Sequence, residues 1–124
     1  MSFPVQIIAD DTVVVTIGAM LDFRTALDFK AVYQKQIGAG ARNFILDFTD
    51  TGSFDSTGLG SLFTMYRRIS TVGGDVFFAA LSGAVLFTVQ LTHADKVFRL
   101  FPTVDAAREA ITWNHESSHY YRPG

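Results

Sequence analysis

The chain has 124 residues, 48% of them hydrophobic, with ten Lys or Arg against twelve Asp or Glu, a formal net charge of −2 and no cysteine. That length accommodates one domain with a real core, since a chain of this size buries roughly two thirds of its unfolded surface, and it leaves no room for a second domain. Interspersed charges exclude the basic stripe that neutralises nucleic-acid phosphates, and the lack of cysteine excludes disulfides and thiolate metal sites.

The N-terminal "MSFPVQIIADD" has neither the basic start nor the apolar run of a signal peptide. No apolar run approaches the ~18 residues needed to cross a bilayer, so the expectation is a cytoplasmic protein without membrane insertion. Val5–Ile8 reads as a strand, paired across Asp10-Asp11 with the β-branched strand Thr12–Ile17, which Gly18 closes. From Thr25 to Ile37 the apolar residues Leu27, Ala31, Val32 and Ile37 recur at helical spacing, with Thr25 placed to cap the helix and Gly38 and Gly40 near its end. Asn43–Phe48 is almost continuously apolar, as a central strand covered on both faces should be. Leu59, Leu62, Phe63, Tyr66 and Ile69 predict a second helix running to Gly73-Gly74, and Val76–Leu81 returns to the strand pattern. A third helix over Ser82–Thr92, a short strand over Val97–Leu100 and a last helix over Val104–Ile111 complete the chain, and residues 113–124 read as a polar tail. The order strand-strand-helix-strand-helix-strand-helix-strand-helix predicts an α/β sandwich with a mixed sheet and four helices.

One junction carries the chemistry. Phe54-Asp55-Ser56-Thr57-Gly58-Leu59-Gly60 joins the central strand to the second helix, where unpaired backbone N–H groups and the helix dipole favour negative charge. It is not a Walker loop, because no Lys follows its glycines. It is not a nucleophile elbow either: the first glycine of that pattern is missing, and neither His93, His115 nor His119 offers a convincing base. Two readings stay open on the residues alone. Asp55 or Ser56 caps the helix while Gly58 permits close packing, or the exposed hydroxyls are a modification site.

The same stretch, preceded by Phe44-Ile45-Leu46-Asp47-Phe48 and followed by Tyr66-Arg67-Arg68-Ile69, resembles the signature of STAS-domain proteins of the bacterial anti-sigma factor antagonist family. Leu21-Asp22-Phe23-Arg24-Thr25 is similar to the segment leading into that family's first helix, and Val104-Asp105-Ala106-Ala107-Arg108-Glu109-Ala110 fits its end. Gly18-Ala19-Met20-Leu21-Asp22 departs from the family by an extra residue and a missing acidic one. The resemblance implies a single STAS domain over residues 1–112 with a tail over 113–124. It implies no enzyme activity and neither cofactor nor metal, but a phospho-acceptor at Ser56, with Thr57 as the alternative. The implied partners are a GHKL-type serine kinase that is also the anti-sigma factor and a PP2C-type phosphatase. The implied docking surface comprises Asp22, Phe23, Arg24, Thr25, Phe54, Asp55, Ser56, Thr57, Gly58 and Leu59.

Two other function classes compete with this phosphorylation-gated module. One is a non-phosphorylated STAS subunit of a lipid-transport or stressosome-like complex, in which the Ser56 turn is structure or contact. The other is a nucleotide-binding sensor, which the lack of Lys or Arg beside the turn in sequence disfavours. Tyr66-Arg67-Arg68 reads as a solvated helix face or a contact for an acidic partner. His93 reads as a surface residue, and the pair His115 and His119 lacks the further ligands of a metal site.

Overall fold

A computed structural model of the chain describes residues 3–117. The expected hairpin is present: β1 (Val5–Ala9) turns through Asp10-Asp11 into β2 (Thr12–Thr16), antiparallel, with a bulge between Ile7 and Ala9. A two-residue strand, β3 (Met20–Leu21), leads to α1 (Ala26–Gly38), followed by β4 (Asn43–Asp47), a second two-residue strand β5 (Ser53–Phe54), and α2 (Ser56–Thr71). The chain continues through β6 (Asp75–Ala79), α3 (Gly83–Leu91), a 3-10 turn over Ala94–Lys96, β7 (Arg99–Phe101) and α4 (Val104–Ser117). The five longer strands form one mixed sheet in the order β1-β2-β4-β6-β7, parallel everywhere except at the β1–β2 edge. β4 is central, as its apolar run predicts.

Alternation along the strands sends side chains to two cores. On one face Val13, Val15, Phe44, Leu46, Val76 and Phe78 pack against Phe29, Tyr33 and Ile37 of α1, Leu62, Met65 and Ile69 of α2, and Val85 and Val89 of α3. On the other, Val14, Ile45, Phe77 and Ala79 meet Ala107 and Ile111 of α4 alone. The larger core is stiffened by aromatics: Phe78 stacks on Phe98 at 4.2 Å between centroids and takes Phe48 edge-on at 4.9 Å. Tyr66 also packs edge-on against Phe98, while Arg67 and Arg68 are exposed, so that helix face is mixed.

Three boundaries differ from the sequence reading. Thr25 holds the N-cap position of α1 but makes no side-chain cap; its hydroxyl instead accepts a hydrogen bond from the Asp22 N–H at 3.1 Å. β7 starts at Arg99 because Val97 is taken into the turn that follows Ala94–Lys96, leaving Phe98 to drop into the core. α4 begins where Thr103 Oγ1 accepts from the Ala106 N–H at 3.0 Å, and it runs past Ile111 to Ser117, through five residues expected in the tail. Nothing in Thr112–Ser117 breaks a helix, there being no Gly or Pro before Pro123. The rest of the expected tail, with His119, lies outside the described residues. His93 is exposed, at φ 61°, where the chain turns out of α3.

Candidate docking surface

At the junction the capping ambiguity resolves in favour of Asp55. Its backbone is extended (φ −90°, ψ −175°), and its Oδ1 accepts from the Gly58 N–H at 2.8 Å, satisfying one of the free donors of the first turn of α2. The other carboxylate oxygen accepts from the Phe23 N–H at 3.4 Å, so Asp55 also reaches across to the loop before α1. Those two loops are tied at several further points. Met20 pairs with Ser53 and Leu21 with Phe54 in a short parallel ladder; the Gly52 N–H donates to the Ala19 carbonyl at 3.0 Å; and Thr51 Oγ1 donates to the Gly18 carbonyl at 2.5 Å. Gly58 lets the loops close up, since a β-carbon there would overlap the Leu21 carbonyl and approach Phe54 Cβ at 3.1 Å.

Because Asp55 makes the cap, the hydroxyl of Ser56 has no structural duty. Ser56 is the first residue of α2, is exposed, and makes no side-chain hydrogen bond among the described residues. Thr57 beside it is also exposed. Phe23 stands at the surface with 69% of its area accessible, and Arg24 is exposed too. Phe54 is half-buried, its ring 6.4 Å from that of Phe48, so it serves the core; Thr25 and Leu59 are likewise half-buried, and Gly58 is buried.

Asp22 lies beneath this surface rather than on it. Only 4% of it is exposed, and its carboxylate accepts from Arg24 Nη2 at 2.9 Å, Arg24 Nε at 3.1 Å and the Arg24 N–H at 2.9 Å. The Arg24 side-chain hydrogen bond holds the Asp22 carboxyl below its ordinary value of 3.8, against the opposing effect of burial. A carboxyl depressed in the folded state contributes stability that is complete above pH 3.8 and is lost as the pH falls through the lower folded value. Carboxyl-detected NMR titration should therefore place Asp22 below 3.8, and Arg24→Ala should move it upward; an unchanged midpoint in Arg24→Ala would show that the guanidinium is not the cause.

The sequence reading brought most of these residues together but missed the ladder. Strands of two residues carry no periodicity, and no motif marks Thr51 as the partner of Gly18.

The fold, a mixed five-stranded sheet with four helices packed against it, is shared with solved structures. A Thermotoga maritima protein provisionally named an anti-sigma factor antagonist has a crystal structure matching at a TM-score of 0.82, with 25% identity over 89% of this chain and 94% of that one. SpoIIAA, an anti-sigma factor antagonist solved in its unphosphorylated form, shares the fold at a TM-score of 0.71 and 21% identity, over 92% of this chain and 98% of that one. In sequence, a Thermotoga maritima protein carrying the same provisional name is 30% identical over 112 residues, 88% of this chain and 96% of its own length. The STAS-domain family model matches residues 4–107, and the chain belongs to that family, alongside its anti-sigma factor antagonists. Among the described residues no helix is long and apolar enough to cross a membrane.

Proposed function

We propose that this chain is an anti-sigma factor antagonist gated by phosphorylation of Ser56, acting in the cytoplasm as a substrate and a ligand rather than as an enzyme. The observation that carries the reading is the division of labour at the head of α2: Asp55 supplies the cap and the cross-loop contact, and the Ser56 hydroxyl is exposed and uncommitted. A kinase can take such a hydroxyl without unfolding anything. The relatives named as anti-sigma factor antagonists support the general role, and SpoIIAA carries this fold through both an unphosphorylated and a phosphorylated form.

In this reading the partner is an anti-sigma factor that is also a GHKL-type serine kinase, and a PP2C-type phosphatase resets the switch. The partner docks on Phe23, Arg24, Asp55, Ser56 and Thr57, with Leu59 and Phe54 at the margin, while Asp22, Thr25 and Gly58 set the shape of the loops from below. The functional domain spans residues 1–112. Incubation with the cognate kinase and ATP should label Ser56, and Ser56→Ala should abolish incorporation. Label that persists in Ser56→Ala and disappears in Thr57→Ala would move the acceptor by one residue and overturn the assignment.

A further inference from the structure

We propose that the groove between α1 and α2, lined by Lys30 and Arg67, is a binding site for a small organic anion, an apolar body bearing a carboxylate or phosphate head that meets the Tyr33 hydroxyl. The site does not depend on phosphorylation of Ser56.

Tyr33 is the starting point. Only 1% of the residue is exposed, and its ring packs edge-on against Phe29 at 5.3 Å. Its hydroxyl makes no hydrogen bond among the described residues, yet among those residues no fully enclosed side-chain nitrogen or oxygen is without a partner. The hydroxyl therefore opens onto the groove that Tyr33 lines. A phenol held in the core for its ring, with its polar end turned into a cleft, is a donor awaiting an acceptor. Burial pushes its pKa up, opposed by Arg68 and Arg67, so it keeps its proton at neutral pH and can donate.

The charges around it have one sign. Lys30 and Arg67 line the groove, and no Asp or Glu does. Neither cation is paired with a carboxylate among the described residues; Arg67 has only a hydrogen bond to Thr64 Oγ1 at 3.4 Å. Leu27, 79% exposed, and Phe63 add apolar wall. The groove has a volume of 510 Å³, within the range of small-molecule sites. A single buried donor in a groove lined by two cations suits one anionic head, whereas an acidic polypeptide would call for a row of such anchors. Thr57 also lines the groove, so an occupant would lie beside the docking surface.

Titration of the full-length, ¹⁵N-labelled chain with phenyl phosphate and with benzoate, and with benzyl alcohol as the uncharged control, tests the site. Saturable shifts centred on the amides of Lys30, Tyr33, Thr64 and Arg67 are expected with at least one anion, and the two anions separate a phosphate from a carboxylate head. Tyr33→Phe, which keeps the ring and should leave the unfolding temperature unchanged or raised, should weaken binding at least about tenfold, the value of a hydrogen bond to a charged group. Any of four results would overturn the proposal: no saturable shift with either anion, equal binding of benzyl alcohol, equal affinity in Tyr33→Phe, or movement of these amides by a glutamate-rich peptide alone.

Discussion

Phosphorylation of Ser56 is expected to weaken binding of the anti-sigma partner about a hundredfold, roughly 3 kcal/mol, while hardly moving the thermal unfolding midpoint. The two effects separate because they draw on different surroundings. For the fold, a phosphate of about −1.5 to −2 charge at the first residue of α2 meets the positive end of the helix dipole, which offsets much of the repulsion from Asp55. For the proposed interface, the same group adds bulk and a strongly hydrated charge close to an exposed Phe23 that docking would have to desolvate. Ser56→Asp should give a smaller loss, since a carboxylate is flatter and carries one charge. Ser56→Ala should bind as the unmodified chain does but resist release. Calorimetric titration of unmodified and phosphorylated chain against the captured partner decides the matter: equal affinities would reduce the turn to a structural element and place the protein among constitutive STAS subunits.

The largest effect on the fold at this site should come from a single methyl group. In Gly58→Ala the new carbon overlaps the Leu21 carbonyl, which is backbone and already committed to the β3–β5 junction, so either α2 or the loop before α1 has to move. A loss on the order of 3 kcal/mol is expected, at the upper end of overpacking costs, and it should appear as a drop of about 10 °C in the unfolding midpoint. Gly60→Ala is the internal control. It lies in the same helix, a β-carbon there meets nothing within 4 Å, and the change should stabilise by about 0.5–1 kcal/mol through helix propensity. Similar midpoints for the two variants, measured by thermal melting, would mean that the loops are not held as closely as described.

What could be read from the sequence follows how far each element depends on its own residues. β4 was legible because Phe44, Ile45 and Leu46 are apolar on both sides, and α2 because Leu62 and Ile69 repeat at its period; local pattern and tertiary environment agree there. β3 and β5 exist only because each finds the other, so neither could be seen alone. The cap was half legible: Asp55 and Ser56 are both competent N-cap residues, and only the geometry of the turn chooses Asp55. Asp22 belonged to the implied docking surface through the resemblance alone, and the structure buries it because the neighbouring Arg24 satisfies its charge. The face of α1 was misjudged: of Leu27, Ala31, Val32 and Ile37 only Ile37 is buried, Leu27 and Ala31 are exposed, and the helix turns Phe29 and Tyr33 inward instead, because the larger rings fill the core.

The irregularity in β1 has a bearing on how the molecule behaves in a crowd. β1 is an outer strand of the sheet, and Ile7, 70% exposed, sits on it as an apolar invitation to a passing chain. The offset between Ile7 and Ala9 breaks the regular spacing of donors and acceptors along that rim, so an incoming strand can match only a few residues before it falls out of step. At the opposite rim β7 is three residues long and carries Arg99 over the rings of Phe77 and Phe101, which makes a poor template as well. A sheet with both rims blunted in this way resists growing into fibres, although nearly half of the chain is hydrophobic.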